Sequence, residues 1–276
     1  MELSEGKLLE VARRAALLGG KELLKWHSRR NRLQLEQKTV PSDFVTAADK
    51  ASEKAILAHL RANLPHVEIN AEESGVSGSS GTEKRKLTVD VDALDGSMAF
   101  VHGQHHYSVS IGVRKGNKLI AGVVYNPGLK QMLFARRGSG AWLVTGKKKV
   151  RIRVRSGNNL QGAFIGTDFN YDPGARKVEH REVYGPLLVN ARYAPVMGSS
   201  AYGLGQVACG NFSAYVHRGL KPHDSAAGLL IASEAGAKAT TFEGGKIDLA
   251  SRRNSSLIVA HPRLHREIMH LLRAKR

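Results

Sequence analysis

Cysteine is nearly absent: Cys209 stands alone among 276 residues, which excludes an internal disulfide framework and makes a reducing cytoplasm the expected setting. Within QVACGN it reads as a small buried side chain. No stretch approaches about 20 uninterrupted apolar residues, which argues against a membrane span. The opening segment MELSEGKLLEVARRAALLGG carries acids where an export signal is basic, and Arg13 and Arg14 interrupt its apolar positions. It predicts an amphipathic helix and not a signal peptide. HExxH and the Cys or His spacing of a zinc site are both missing, so the histidines of HGQHH, residues 102–106, read as ordinary loop and strand residues. No internal repeat and no long linker divides the chain.

Acids are in the minority. The 24 Asp and Glu face 42 Lys and Arg, a formal charge of +18, which predicts long-range attraction for phosphates, nucleic acids or anionic surfaces without selecting among them. The sharpest basic stretch is KKKVRIRVRS, where Arg151, Arg153 and Arg155 alternate with Val150, Ile152 and Val154. That period puts the arginines on one strand face and the aliphatics on the other. A solvated outer face is the plain reading, and a nucleic-acid surface the sharper one.

A hydrophobic content of 42% is enough to bury a full core, as one large domain or two fused halves. Apolar periodicity predicts helices over about 4–28 and 46–63, the second opening on a box-like Thr46 and Asp49. Strands are expected at RLQLEQ, VEIN, KLTVDV, YSVSIGV, LIAGVVYNP and QMLFAR, with ESGVSGSSGTEKRK as a mobile surface loop. Beyond residue 150 strands and helices alternate: GAFIGT, a helix over 174–190, RYAPV, a helix over 199–209, SAYV, a helix from Pro222 to Ala235, SSLIVA and a terminal helix. The expected class is α/β, with an α+β first half (1–150) and an α/β second half (151–276) that share one continuous interface.

VDVDALDGSMAF, residues 89–100, crowds Asp90, Asp92 and Asp95 behind an apolar run. Asp and Gly favour turns, so a simple turn is one reading of the motif alone. Buried acids this close to AEES (71–74) would repel one another without positive charge between them, and a divalent cation is the other reading. LKPHDSAAGLLIASEAG adds Asp224 in the first turn of a predicted helix, just after Pro222, where a carboxylate favours the helix dipole.

Together with DFVTAADKASE, AEESG, VSIGV, AGVVYNP and MGSSAYGLGQVACG, these blocks resemble the inositol monophosphatase family of metal-dependent, lithium-sensitive phosphatases, in order from about residue 3 to 272. The resemblance implies a layered αβαβα sandwich of the sugar-phosphatase type and a homodimer. It implies Mg²⁺, two or three ions per site, with Mn²⁺ possible. It carries Glu72, Asp92 and the Leu94 carbonyl to a first metal site, and Asp92, Asp95 and Asp224 to a second. Asp49 and Lys38 match supporting groups near the metals. Glu73 and Ser97 match the pair that positions or deprotonates the attacking water, and Gly96 and Ser97 offer N–H groups to the phosphate. Gly198, Ser199, Ser200 and Ala201 match the loop on the far side of the substrate. Asp90 matches no ligand and reads as a structural acid.

Several positions depart from the family pattern. Ala93 stands where proline is usual, Ser97 where threonine is usual, and Met98 and Ala99 where a polar pair is usual. His223 replaces a common tryptophan. His217, followed by Arg218, replaces a glutamate that accepts hydrogen bonds from inositol hydroxyls, a change that favours a more anionic substrate. The expected activity is phosphomonoester hydrolysis, with inositol monophosphate as the default substrate. Fructose 1,6-bisphosphate, histidinol phosphate and a nucleotide phosphate are alternatives. A role associated with RNA or a transcription complex, in which some bacterial members moonlight, is the competing expectation.

Overall fold

Helix α1 (Glu5–His27) opens on Ser4, whose side chain accepts from the Lys7 N–H, and buries Leu8, Val11, Ala12, Ala15, Ala16 and Leu23, the stripe its periodicity predicts. Strands β1 (Leu35–Gln37) and β2 (Phe44–Thr46) pair antiparallel. Helix α2 (Ala47–Asn63) starts on the expected capping box, the Asp49 carboxylate accepting the Thr46 N–H at 2.9 Å. The structure, a computed structural model, describes residues 3–38, 40, 44–78, 87–156 and 159–273.

The first half continues through β3 (Glu68–Ala71), β4 (Gly75–Ser77), β5 (Leu87–Asp95), the short α3 (Ser97–Val101), β6 (Ser108–Lys115), β7 (Lys118–Asn126), β8 (Gln131–Arg136), β9 (Ala141–Thr145) and β10 (Lys148–Ile152). The second half holds β11 (Ile165–Thr167), α4 (Pro173–Glu179), α5 (Gly185–Asn190), α6 (Ser200–Ala208), β12 (Ala214–Leu220), α7 (Pro222–Glu234), β13 (Lys238–Thr240), β14 (Ser255–Ala260) and α8 (Pro262–Arg273).

An eight-stranded sheet runs in the order β10-β9-β8-β7-β6-β5-β3-β4, and a four-stranded sheet in the order β11-β12-β14-β13. One face of the larger sheet packs Val89, Val91, Val109, Ile111 and Val123 against α1 and α2. Its other face sends Val124, Leu133, Ala135 and Ala141 into a shared core with Leu204, Leu230, Tyr215, Leu257 and Val259. Helices α6 and α7 are therefore sandwiched between the two sheets, and α8 with Val183 and Leu187 closes the outer face of the smaller one. The layer order is αβαβα. Gly112 and Gly122 are register partners on β6 and β7, and a Cβ at Gly122 would lie 2.7 Å from the Ala227 carbonyl oxygen. This close approach seats α7, and with it Asp224, against the end of the larger sheet.

The expected helix over 174–190 is interrupted by a π turn, His180–Tyr184, ahead of Pro186, which has no N–H to continue the ladder. RYAPV is no named strand. It makes single parallel bridges, Phe164 to Tyr193 and Thr167 to Val196, because Pro195 cannot donate. The basic strand ends at Ile152. Val154 N–H donates to the Ala235 carbonyl at 3.0 Å, which ties the chain beyond the strand to the end of α7. Strands β9 and β13 have no counterpart in the sequence reading. The glycine- and serine-rich segment begins with β4, and its residues 79–86 lie outside the described residues. No described helix is long and apolar enough to cross a membrane.

Candidate active site

Strand β5 alternates as it leaves the core: Val89, Val91 and Ala93 face α1 and α2, which turns Asp90 and Asp92 toward the other side. The three aspartates part company there. Asp90 is fully buried in an ion pair with Arg114, whose Nε donates to Oδ2 at 2.6 Å, and it also accepts from Asn70 Nδ2 at 2.7 Å. It is a satisfied structural acid. Asp92 accepts the nearby Leu94 N–H at 2.9 Å and lies against Glu72. A register shift then intervenes between Asp92 and Asp95, and the chain turns at Gly96 with φ of 97°. A Cβ at Gly96 would meet the His106 carbonyl at 2.6 Å, so only glycine allows this turn.

Asp95 points into the start of α6. Its carboxylate accepts from Ser200 N at 3.0 Å, Ala201 N at 2.8 Å and the Ser199 hydroxyl. Asp224, in the first turn of α7, accepts the Lys221 N–H at 3.1 Å. Glu72 follows β3, and Lys38 Nζ bridges it at 2.9 Å to Glu73 at 2.5 Å. Glu53 on α2 accepts the N–H groups of Glu73 and Ser74, both at 3.0 Å, and so fixes that turn. The Ser97 hydroxyl donates to Asp49 at 2.9 Å.

Electrostatics follow from the crowding. Burial, then the charges of Glu72, Asp95 and Asp224, push Asp92 well above the usual carboxylate range. Burial raises Asp95 to about 7 despite its donors, and burial also raises Asp224. For Glu72, burial is outweighed by Lys38 and His223, and its carboxyl lies below the ordinary value. Burial lifts Glu73 to about 7 against the pull of Lys38. No cationic side chain among the described residues bonds to Asp92 or Asp95, so their charge is unanswered by the protein.

A cavity of about 610 Å³ opens over this cluster, lined by Lys38, Glu72, Glu73, Asp92, Leu94, Asp95, Gly96, Ser97, Gly198, Ser200, His217 and Asp224 among the expected residues. Asp49 sits behind Ser97. Ser199 and Ala201 are turned to Asp95 and are not on the cavity wall, and Arg218 pairs with Glu182 away from it. His217 is buried and accepts the Gly219 N–H on Nδ1 at 2.9 Å. Burial pushes it down to about 4. The ring is neutral, and its proton sits on Nε2, a donor.

Sequence reasoning missed several wall and support residues. His223 brings a ring nitrogen within 4.8 Å of carboxylate oxygens of Glu72 and Asp224. Asp168 accepts Tyr215 O–H at 2.7 Å and the Gly198 N–H, steadying the loop before α6. Asn170, Tyr171, Val196 and Asn254 are also on the wall. Asp168 had a readable signal, an acid at the end of the GAFIGT strand, whereas Glu53 and Asn254 had none.

Four acids gathered where the two halves of an αβαβα sandwich meet define a protein of the sugar-phosphatase type. Residues 5–276 match the inositol monophosphatase family, and the chain belongs to that family. It is 34% identical over 266 residues to the Nus factor SuhB of Haemophilus influenzae, covering 96% of each chain. It is 33% identical over 248 residues to the inositol-1-monophosphatase of Rhizobium meliloti, covering 88% of each. Among solved structures, the extragenic suppressor protein suhB from Bartonella henselae superposes with a TM-score of 0.85 at 29% identity, covering 96% of this chain and 98% of that one.

Proposed function

We propose that this chain is a Mg²⁺-dependent phosphomonoesterase that hydrolyses a small phosphorylated metabolite with water as nucleophile. The observation that carries this reading is the convergence of Glu72, Asp92, Asp95 and Asp224 on one cavity, with Asp92 and Asp95 buried and lacking a cation. All-oxygen donors of this charge suit Mg²⁺, or Mn²⁺, in preference to zinc. Glu72, Asp92 and the Leu94 carbonyl would hold one ion, and Asp92, Asp95 and Asp224 a second, with His223 beside them. Bound there, the divalent cation supplies Lewis-acid stabilisation of charge on the phosphoryl oxygens and acidifies water.

The chain's own residues supply position. Ser97 donates its proton to Asp49, which leaves its oxygen lone pairs to accept from a water in the cavity. Glu73, held by Lys38 and by the Glu53-fixed backbone, stands on the other side of that water and takes its proton. The N–H groups of Gly96 and Ser97 orient phosphate oxygens. At the far wall His217 offers Nε2–H and no acceptor. The substrate it favours presents an oxygen acceptor there, a second phosphate, carboxylate or ring oxygen, in place of a polyol hydroxyl. Inositol monophosphate remains the reference substrate, and fructose 1,6-bisphosphate fits the donor better. Histidinol phosphate and nucleotide phosphates complete the panel.

Phosphate release from that panel with Mg²⁺ tests the reading. It is abandoned if no member turns over, or if Asp92→Asn leaves the rate unchanged. A cytoplasmic homodimer is part of the same reading. Leu188, Val189 and Tyr193 are exposed within six positions of the chain, Val189 by 83%, and exposed apolar side chains that close in sequence favour a covered surface. Light scattering on the purified chain reads the oligomer directly.

A second reading, a role associated with RNA or a transcription complex beside the hydrolase, is favoured by the exposed cations of β10, which have no carboxylate partner among the described residues, and by similarity to relatives named Nus factor SuhB.

A further inference from the structure

We propose that the outer face of β9 and β10 binds single-stranded RNA along a row of cations that have no carboxylate partner among the described residues. The inference deepens the second reading above by naming the surface and its ligand. On β10, Lys149 and Arg151 lie opposite Val144 and Trp142 of β9, which lie opposite Met132 and Phe134 of β8. This is the face on which α1 packs over β6, β7 and β8. Val150, Ile152 and Val154 pack into the core between the sheets, and Arg153 and Arg155 follow as exposed residues just beyond the strand, running past Gly210 at the end of α6. The row from Lys149 to Arg155 is about 20 Å long at the rise of an extended chain.

Density sets these residues apart. The fold pairs its buried and half-buried cations, Arg114 with Asp90, Arg218 with Glu182 and Lys38 with Glu72 and Glu73, whereas six exposed ones stand together here within nine positions. Lys147, Lys148, Lys149, Arg151, Arg153 and Arg155 are all exposed, and none has a carboxylate partner among the described residues. β10 is also the edge of its sheet. Cations on an edge discourage strand pairing, but that duty needs no aromatic layer. Here Lys149 Nζ lies 4.4 Å from the Trp142 ring centroid, and Arg13 lies 4.5 Å from that of Phe134. Those contacts hold the stem of Lys149 on the half-buried Trp142 and leave the cationic track to meet phosphates, the sequence-tolerant part of single-strand binding.

The alternatives fit less well. None of the large exposed apolar side chains belongs to β8, β9 or β10, so a lipid surface would find charge but no anchor. A duplex backbone winds about its axis and meets a straight row at few phosphates. A flexible strand can follow the whole row, and RNA is the form in which unpaired strands are ordinarily exposed.

Anisotropy of a labelled 20-nucleotide RNA of mixed sequence, titrated with the full chain, tests the proposal. Engagement of four cations predicts a loss of roughly 50-fold in affinity between 50 and 200 mM salt. Arg151→Gln/Arg153→Gln/Arg155→Gln is expected to weaken binding at 50 mM by about 10-fold or more and to flatten the salt slope by about 2. Lys54→Gln/Lys177→Gln/Arg266→Gln, with the same net charge, is expected to bind like the parent. Melting curves and phosphate release report that each variant folds. Should the triple variant fail to fold, Arg153→Gln alone must still lower the slope by about 0.7. Equal weakening by both triple variants overturns the surface and leaves the RNA reading standing. No RNA binding by the parent at 50 mM sinks both. Duplex bound as tightly as single strand, or anionic phosphatidylserine vesicles bound more tightly than RNA, also overturns the proposal.

Discussion

Asp95, the last residue of β5, accepts the backbone N–H of Ala201 at 2.8 Å. The acid that ends β5 thereby caps a helix of the other half, and the DALDG motif and the α6 loop become one unit. A carboxylate at this place favours the positive end of α6 and satisfies N–H groups that the helix leaves open.

Asp95→Asn replaces one acceptor oxygen with a donor facing those N–H groups. We expect the protein without metal to lose about 1–2 kcal/mol of stability, the scale of a lost cap, and phosphate release to fall by about 100-fold or more. Ser199→Ala should cost about 1 kcal/mol and spare most activity. Urea melts and phosphate assays on the two variants separate the effects.

Asp90 and Asp92 are neighbours on one face with opposite roles. Asp90→Ala strands Arg114 in the core and should destabilise by about 3–5 kcal/mol. Asp92→Asn removes a buried, repelled charge and should leave metal-free stability unchanged or raised. Mg²⁺ that binds the folded state should raise the parent's melting temperature as its concentration increases. Asp92→Asn should abolish that rise, and chelation should return the parent to its metal-free value. A parent whose melting temperature ignores Mg²⁺ contradicts the metal assignment.

His217→Glu exchanges a neutral donor for an acceptor at the far wall. The ratio of kcat/KM for inositol monophosphate over fructose 1,6-bisphosphate should rise by about 10-fold, one hydrogen bond to a charged group. His217→Gln, which offers both donor and acceptor, should fall between. An unmoved ratio in both variants would show that this wall does not read the substrate.

Buried imidazoles set the acid limit. His217 and His265 are both pushed to about 4 by burial. His265 meets Thr240 Oγ1 at 2.9 Å through Nε2, while its buried Nδ1 has no partner among the described residues. Each ring stays neutral in the fold down to about pH 4, whereas the unfolded chain protonates near 6.5. Between those values the unfolded state holds more protons, so stability is full above pH 6.5 and falls as pH drops toward 4, by at most about 3 kcal/mol per ring. His265→Gln should remove its share of that slope, read from melts at pH 7, 5.5 and 4.5.

Local spacing made much of the fold readable. The Ser4 start of α1, the Thr46 and Asp49 box, and the Pro222 start of α7 depend on residues within four positions of each other, and propensity acts at that range. The π turn lies beside a visible signal, Pro186, whereas the short β13 and the bridges of RYAPV were not readable, because each pairs with a strand brought up from elsewhere. The same division runs through the site. The acids were legible as a motif. That Arg218 turns to Glu182, and that Ser199 and Ala201 serve Asp95 and not the cavity, was not.

The sequence by itself determined which acids exist and that they cluster, since Asp92, Asp95 and Asp224 are defined by short motifs and helix-start chemistry. Tertiary structure alone decided which of them remain without a counter-charge. Arg114 reaches Asp90 across a strand pair, Lys38 reaches Glu72, and Gly112 and Gly122 let α7 bring Asp224 close. Side-chain charge is local information, but its compensation depends on what packing places within a few ångströms, and in this fold packing leaves Asp92 and Asp95 for a cation.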